Sequence, residues 1–284
     1  MRIGNRRFGR PVLPLKNAGF RGAGKFRLIV ALAIGGFALF SYFSSASYNP
    51  VTGEKQYLSI TPKQEIAMGL QAVNQMAAQH GGLHPDPRLQ DFVDEVCWNI
   101  INNSQAQETN WRFDCHLLAD PNTVNAFALP GGQMFITYAL FRQLETEGQL
   151  AGVLSHEIGH VVARHSAQRM AKSQLTQGII QAILMGSESQ STGQIAGMVG
   201  NMINMKYGRE DELQSDAIGV KFMSQAGYNP HALKGVMKIL ANASGRRAAS
   251  EFFSTHPSPE NRIEEIDRAI AELSPNGVPD SLRP

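Results

Sequence analysis

Apolar positions along this chain fall into three patterns, and each predicts a different kind of element. From Leu28 to Phe43 they run without interruption apart from two glycines and Ser41, and no charged residue appears between Arg27 and Glu54. With Ser44 to Tyr48 added, that run is long enough to span a bilayer as a helix. Elsewhere apolar residues recur every three to four positions, the mark of a helix with one buried face. Ile66, Leu70, Val73 and Met76 follow the helix start Thr61-Pro62, and Leu89, Phe92, Val93, Val96 and Ile100 follow Asp86-Pro87. Leu150, Val153, Leu154, Ile158, Val161 and Val162 surround a third helix. Leu233, Val236, Met237 and Leu240 follow Asn229-Pro230, and Ile263, Ile266, Ile270 and Leu273 follow Ser258-Pro259. Residues 167–206 carry Met170, Met185, Met198, Met202 and Met205 and read as helix with a break around Gly186 to Gly193. Only Trp111 to Leu118, and the pair Ala126 to Leu129 and Met134 to Tyr138 joined by Pro130-Gly131-Gly132, alternate as strands do. The expected fold class is mainly α with a small β-sheet (α+β).

Charge divides the chain in the same way. Residues 1–27 hold eight of the 26 Lys and Arg and no acid, which leaves 18 basic residues against 24 acidic, about −6, for the remainder. A basic tail abutting an apolar run is a topology signal rather than a nucleic-acid site, and it keeps the tail in the cytoplasm. The expected organisation is a basic tail over 1–27, a transmembrane anchor over 28–46, a linker over 47–59, a catalytic domain over 60–273 and a C-terminal tail over 274–284. The catalytic domain then lies on the periplasmic side of a bacterial inner membrane. Two alternatives stay open: a signal peptide cleaved near Ser44 to Ala46, and an Arg-rich mitochondrial presequence.

The candidate chemistry sits on the third helix, where His156, Glu157 and His160 stand in the order H-E-x-x-H. Residues four apart on a helix share a face, so the two imidazoles can converge on one metal ion, and Glu157, about 100° round, can reach its open side. A buried helix would otherwise have to hide two imidazoles and a carboxylate without partners. A catalytic zinc site needs a third ligand. Glu212, sharing a helix face with Asp216, supplies it, and Asp216 would hold a ligand histidine's other N–H. The bland alternative for Glu210, Asp211 and Glu212 is a solvated helix end. His256 precedes Pro257 at a helix entrance and can donate to an oxyanion, act as a regulator of access to the metal, or merely pack; Arg262 is a weaker candidate on the same helix. His165, about 140° round from His160 on a continuous helix, points away from the metal. His80 and His84 flank two glycines and read as loop residues. Cys97 and Cys115 can form a disulfide or serve as small buried residues. The methionines of 167–206 read as core or as an adaptable surface over the cleft.

Three motifs in order, H-E-x-x-H at 156–160, G-R-E-D-E-L-Q-S-D at 208–216 and T-H-P-S-P-E-N-R at 255–262, resemble the family M48 metallopeptidases. These are membrane-associated gluzincins of the HtpX, Oma and CAAX-prenyl-protease type, and the match extends from about Ile60 to Leu273. The resemblance implies a zincin-like fold holding one zinc ion per chain on His156, His160 and Glu212, with Glu157 as general base. It implies a basic residue near the third ligand, here Arg209, and a substrate-binding edge strand at Asn125, Ala126 and Phe127. It further implies an endopeptidase acting on extended, unfolded or misfolded membrane and envelope proteins, of the periplasm-facing type without helical repeats. The competing reading is a zinc-binding chaperone or assembly factor with latent proteolysis, gated by His256 or by the methionine-rich segment.

Overall fold

A helix that is buried on every side has to be surrounded, and the H-E-x-x-H helix dictates the arrangement of the rest. The computed structural model describes residues 23–186, 207–244, 250–257 and 261–284. In chain order these form α1 (Ala23–Ser44), a hairpin of β1 (Ala46–Tyr48) and β2 (Lys55–Tyr57), α2 (Pro62–Gln79), α3 (Pro87–Asn102), a 3₁₀ turn (Gln105–Glu108) and β3 (Asp114–Leu118). There follow β4 (Ala126–Ala128), β5 (Gln133–Thr137), a short α4 (Tyr138–Phe141), α5 (Glu147–Val162) and α6 (His165–Gly186). The last elements are α7 (Arg209–Gln225), α8 (Ala232–Ser244), α9 (Ser250–Thr255) and α10 (Arg262–Leu273). Every residue of α5 from Gly148 to Val162 is buried. Against it pack α3, β4, β5, α7 and α8. Each aliphatic side chain it buries contributes about 1.5–3 kcal/mol.

The three-stranded sheet has the order β3-β5-β4, with β3 parallel and β4 antiparallel to β5. All five residues of β5 are buried, as a central strand requires, and Gly131 and Gly132 turn the chain at φ +85° and +118°. Gly131 admits no side chain, because a Cβ there would lie 2.4 Å from the Cα of Ile66.

The chain differs from the sequence expectation at three places. On α2 the expected Val73 and Met76 are partly buried against the core, but the fully buried positions are Glu65, Gly69 and Ala77, and Leu70 is 51% exposed. The reason is Glu65, which the Arg164 guanidinium draws inward: Arg164 Nε donates to Glu65 Oε1 at 2.9 Å. The stretch 47–59, expected as a linker, is the β1-β2 hairpin, fixed to the end of α5 by two side chains. Asn49 Nδ2 donates to Val162 O at 2.7 Å and Gln56 Nε2 to Ala163 O at 2.6 Å, satisfying carbonyls that a helix end leaves without partners. The tail 274–284 folds back onto the other end, where Gly148 N donates to Pro284 O at 2.8 Å. Ser258 and Pro259, expected to start α10, lie outside the described residues, as does the break in 187–206; Asn261 stands at the N-cap of α10.

Cys97 on α3 and Cys115 on β3 form a disulfide across a sequence separation of 18. Both residues are buried. Replacing both by Ala is expected to lower unfolding stability by about 3 kcal/mol, the loop-entropy value, plus a cavity contribution. Denaturant titration of the double variant, and of the wild type under reductant, measures this.

Candidate metal centre

Small residues let α5 and α7 come together closely enough to share a site. A Cβ on Gly159 would meet Ser215 Oγ at 2.7 Å, and one on Gly219 would lie 3.4 Å from His156 N. Ser215 Oγ fills the gap by donating to His156 O at 2.7 Å. At that spacing Glu212 and Asp216, one turn apart on α7, face His156 and His160, one turn apart on α5.

Four side chains converge: one donor atom from each of His156, His160, Glu212 and His256 lies within 4.8 Å of the others, and all four residues are buried. His156 Nε2 and His160 Nε2 are 3.1 Å apart, and Glu212 lies 3.4 Å from His160 Nε2 through Oε1 and 3.5 Å from His156 Nε2 through Oε2. A tetrahedron with bonds of about 2.05 Å to zinc has edges of about 3.3 Å. The three separations fit it.

The hydrogen bonds behind the rings support the same fit. Asp216 Oδ1 takes the N–H of His156 Nδ1 at 2.9 Å, which leaves Nε2 as a lone pair. Gln214 Nε2 donates to Glu54 Oε2 at 2.6 Å, so its Oε1 faces His165 Nε2 as an acceptor at 2.8 Å. His165 Nδ1 is then the lone pair that receives His160 Nδ1–H at 2.8 Å, and His160 Nε2 is a lone pair as well. Two lone pairs 3.1 Å apart repel unless a cation lies between them. Burial and the Arg262 charge lower the His156 pKa, but Asp216 and Glu212 outweigh them and push it up to about 9. Burial holds His160 well below the usual histidine range.

His165 therefore does not point away from the site. The helix ends at Val162, Arg164 turns the chain in the left-handed region at φ 58°, and α6 starts at His165 with its ring returned against His160. Only on a continuous helix would His165 lie about 140° round from His160, and the turn at Arg164 breaks that continuity.

On the opposite side, Arg262 of α10 is buried and grips Asp216 through Nε at 2.6 Å and Nη2 at 2.9 Å, with Nη1 3.2 Å from Glu212 Oε2. Burial raises the Asp216 pKa, but Arg262 and His156 overcome it and hold the carboxyl below the usual range. Glu212 is also raised by burial and lowered further by His256, His156 and His160, ending well below its ordinary value. Glu157 differs. Its pKa is raised, chiefly by burial, and neither carboxylate oxygen has a hydrogen-bond partner. His256 Nδ1 is bonded to Glu212 Oε1 at 3.0 Å, and its Nε2 has no partner and lies 3.8 Å from Glu157 Oε1. Tyr207, buried and stacked on His160 at 4.1 Å between ring centroids, was not a sequence candidate; a lone tyrosine before a helix carries no signal.

Arg209 is exposed and donates to Asn261 Oδ1 at 2.6 Å; the guanidinium that reaches the carboxylates is Arg262. β4 is the edge strand beside the site, and Ala128 and Leu129 line a small void with His160. Thr137 N donates to Asn125 O and Leu129 N to Gln133 O. The antiparallel alternation then turns Phe127 toward Phe135 and leaves Ala126 and Ala128 with outward main-chain groups. Of the expected edge residues, Asn125 and Phe127 thus bond toward β5, and Ala126, though its main-chain groups turn the other way, is fully buried, which leaves Ala128 as the partly exposed edge position. His80 bonds to Asp120 and His84 to the backbone of Asp86, neither near the centre.

Comparison with known proteins agrees with this geometry. Residues 84–270 match peptidase family M48. The mitochondrial metalloendopeptidase OMA1 of Schizosaccharomyces pombe is 30% identical over 254 residues, covering 87% of this chain and 73% of that one. The beta-barrel assembly-enhancing protease of Escherichia coli is 29% identical over 264 residues, covering 89% of this chain and 53% of its own length, so the chain spans about half of that relative. Human mitochondrial OMA1 is 26% identical over 268 residues, 87% of this chain and 50% of that protein. With the family matched across most of the chain and over the convergent His156, His160 and Glu212, the chain belongs to peptidase family M48 and is a metalloprotease.

Proposed function

We propose that this protein is a zinc endopeptidase that hydrolyses extended segments of unfolded or misfolded membrane and envelope proteins. One observation carries the reading. The buried carboxylate of Glu157, with both oxygens unpartnered, stands beside a donor set of tetrahedral dimensions. His156, His160 and Glu212 would hold the ion, which when bound supplies a Lewis acid that polarises the scissile carbonyl and acidifies water. Glu157 accepts the proton of the attacking water and delivers it to the leaving amine; its burial-raised pKa suits both transfers. Asp216, gripped by Arg262, holds His156 in the ligand tautomer, and His165 does the same for His160. Substrate lies along the edge of β4 at the partly exposed Ala128, whose main-chain groups turn away from β5, so sequence would matter little. The basic residues before the apolar α1 support an anchor whose protease domain lies on the periplasmic side of a bacterial inner membrane.

The position of His256 favours a second reading, in which the enzyme is latent. With Nδ1–H given to the Glu212 carboxylate, the other ring nitrogen of a neutral His256 is a lone pair that can serve as a fourth ligand, whereas donation to an oxyanion requires hydrogen on both ring nitrogens.

Three variants test these assignments on the full-length chain in detergent. Glu157→Gln is expected to keep one zinc per chain, measured by metal analysis, and to cleave casein about 10²–10⁴-fold more slowly. A wild type that binds no zinc would sink the proposal. His256→Ala separates the two roles: an oxyanion donor lost lowers kcat by about 10²–10³-fold, whereas a gate removed raises it. His165→Ala is expected to weaken zinc affinity about 10- to 100-fold in a chelator competition, with far-UV circular dichroism unchanged.

A further inference from the structure

α1 is the one helix among the described residues long and apolar enough to cross a membrane, yet it is not alone along its length. α6, which starts at the turn after the H-E-x-x-H helix, runs antiparallel beside it. The register is set by small residues. A Cβ on Gly178 would meet Ala38 Cβ at 2.5 Å, one on Gly35 would meet Ala182 Cβ at 3.4 Å, and one on Gly186 would meet Ala31 Cβ at 3.4 Å. At the far end, Arg27 Nε donates to Met185 O at 3.1 Å, covering a carbonyl of the last turn of α6. At the near end, Ala171 and Leu175 border the same groove as Tyr42 and Ser45. Going from Ala171 to Gly186, α6 therefore descends roughly 22 Å along α1, at 1.5 Å per residue, against a hydrocarbon core of about 30 Å.

The side chains of α6 fit that depth. No charged residue occurs between Lys172 and Glu188. The face turned from α1 exposes Ile179 (38%), Ile183 (40%) and Leu184 (36%), and it continues the apolar surface of α1, where Leu32, Phe37 and Phe40 are 67–72% exposed. Gln174, Gln177 and Gln181 form a narrow stripe between the two faces. They keep the mean hydropathy of α6 too low to reveal it from sequence, and being uncharged they cost far less in lipid than ions would.

We propose that the C-terminal half of α6, from Leu175 to Gly186, lies among the acyl chains of the bilayer beside α1. The protease domain is then held at the membrane by two helices, one of which leads directly from the metal centre through Arg164. The inference rests on the reading of α1 as a membrane anchor, and the test separates the two.

Because Cys97 and Cys115 are tied in a disulfide, an introduced cysteine is the one free thiol available to a nitroxide label. Full-length Phe37→Cys, Ile179→Cys, Ile183→Cys and Lys172→Cys, reconstituted in phosphatidylcholine–phosphatidylglycerol liposomes, are compared by collision with oxygen, which concentrates in lipid, and with a water-soluble nickel chelate. The expected result is an oxygen-to-nickel ratio at 37, 179 and 183 several-fold above that at 172. Lipid exposure at 37 with water exposure at both 179 and 183 overturns the inference and leaves the anchor standing. Water exposure at 37 as well overturns both.

Discussion

The structure depends on the burial of an ionic cluster that no single element could bury alone. Glu212, Asp216 and Arg262 are all at most 2% exposed. Each such charge costs several kcal/mol to desolvate and is tolerable only with partners in place. Those partners come from different helices: α5 brings the imidazoles, α7 the carboxylates, α10 the guanidinium and the segment after α9 His256. A chain with any one of these out of register would leave a buried ion unpaired. The cluster therefore specifies the packing of the domain as much as it uses it, and the lone-pair repulsion between His156 and His160 leaves room for one positive charge, a proton or a metal.

The close approach of α5 and α7 follows from that demand. Gly159 is needed because a side chain there would clash with the Ser215 backbone and push apart the helices whose facing turns form the site. α5 has its ends tied by distant stretches: Pro284 receives Gly148 N–H at one end, and Asn49 and Gln56 hold the carbonyls of Val162 and Ala163 at the other. The hairpin that performs the second task follows α1 directly and also carries Glu54, the outer end of the chain of hydrogen bonds through Gln214 and His165 to His160. The orientation of one imidazole is thus linked to the segment that follows the long apolar helix α1. α6 leaves the site beside the same hairpin, so helix, hairpin and imidazole form one connected path.

Much of this was legible in the chain itself. The apolar run became α1, the period-3.6 stripes became α3, α5, α8 and α10, and the H-E-x-x-H spacing placed two imidazoles on one face. Glu212 and Asp216 were readable because carboxylates four apart on a helix present one pair of faces whatever surrounds them. These features depend on the 3.6-residue period, a property of neighbouring residues. The face of α2, the hairpin at 47–59, the role of Arg262 and the place of His165 were not readable in that way. Each is decided by contacts between residues far apart in the chain: Arg164 with Glu65, Asn49 with Val162, Arg262 with Asp216 and His165 with His160. The left-handed turn at Arg164 shows the division most directly. A non-glycine residue there carries a local cost of about 1 kcal/mol or more, which local pattern argues against. It is held by the buried Glu65 from another helix, so the sequence alone determined which side chains are candidate donors, and only the tertiary structure decided what brings them together and orients them.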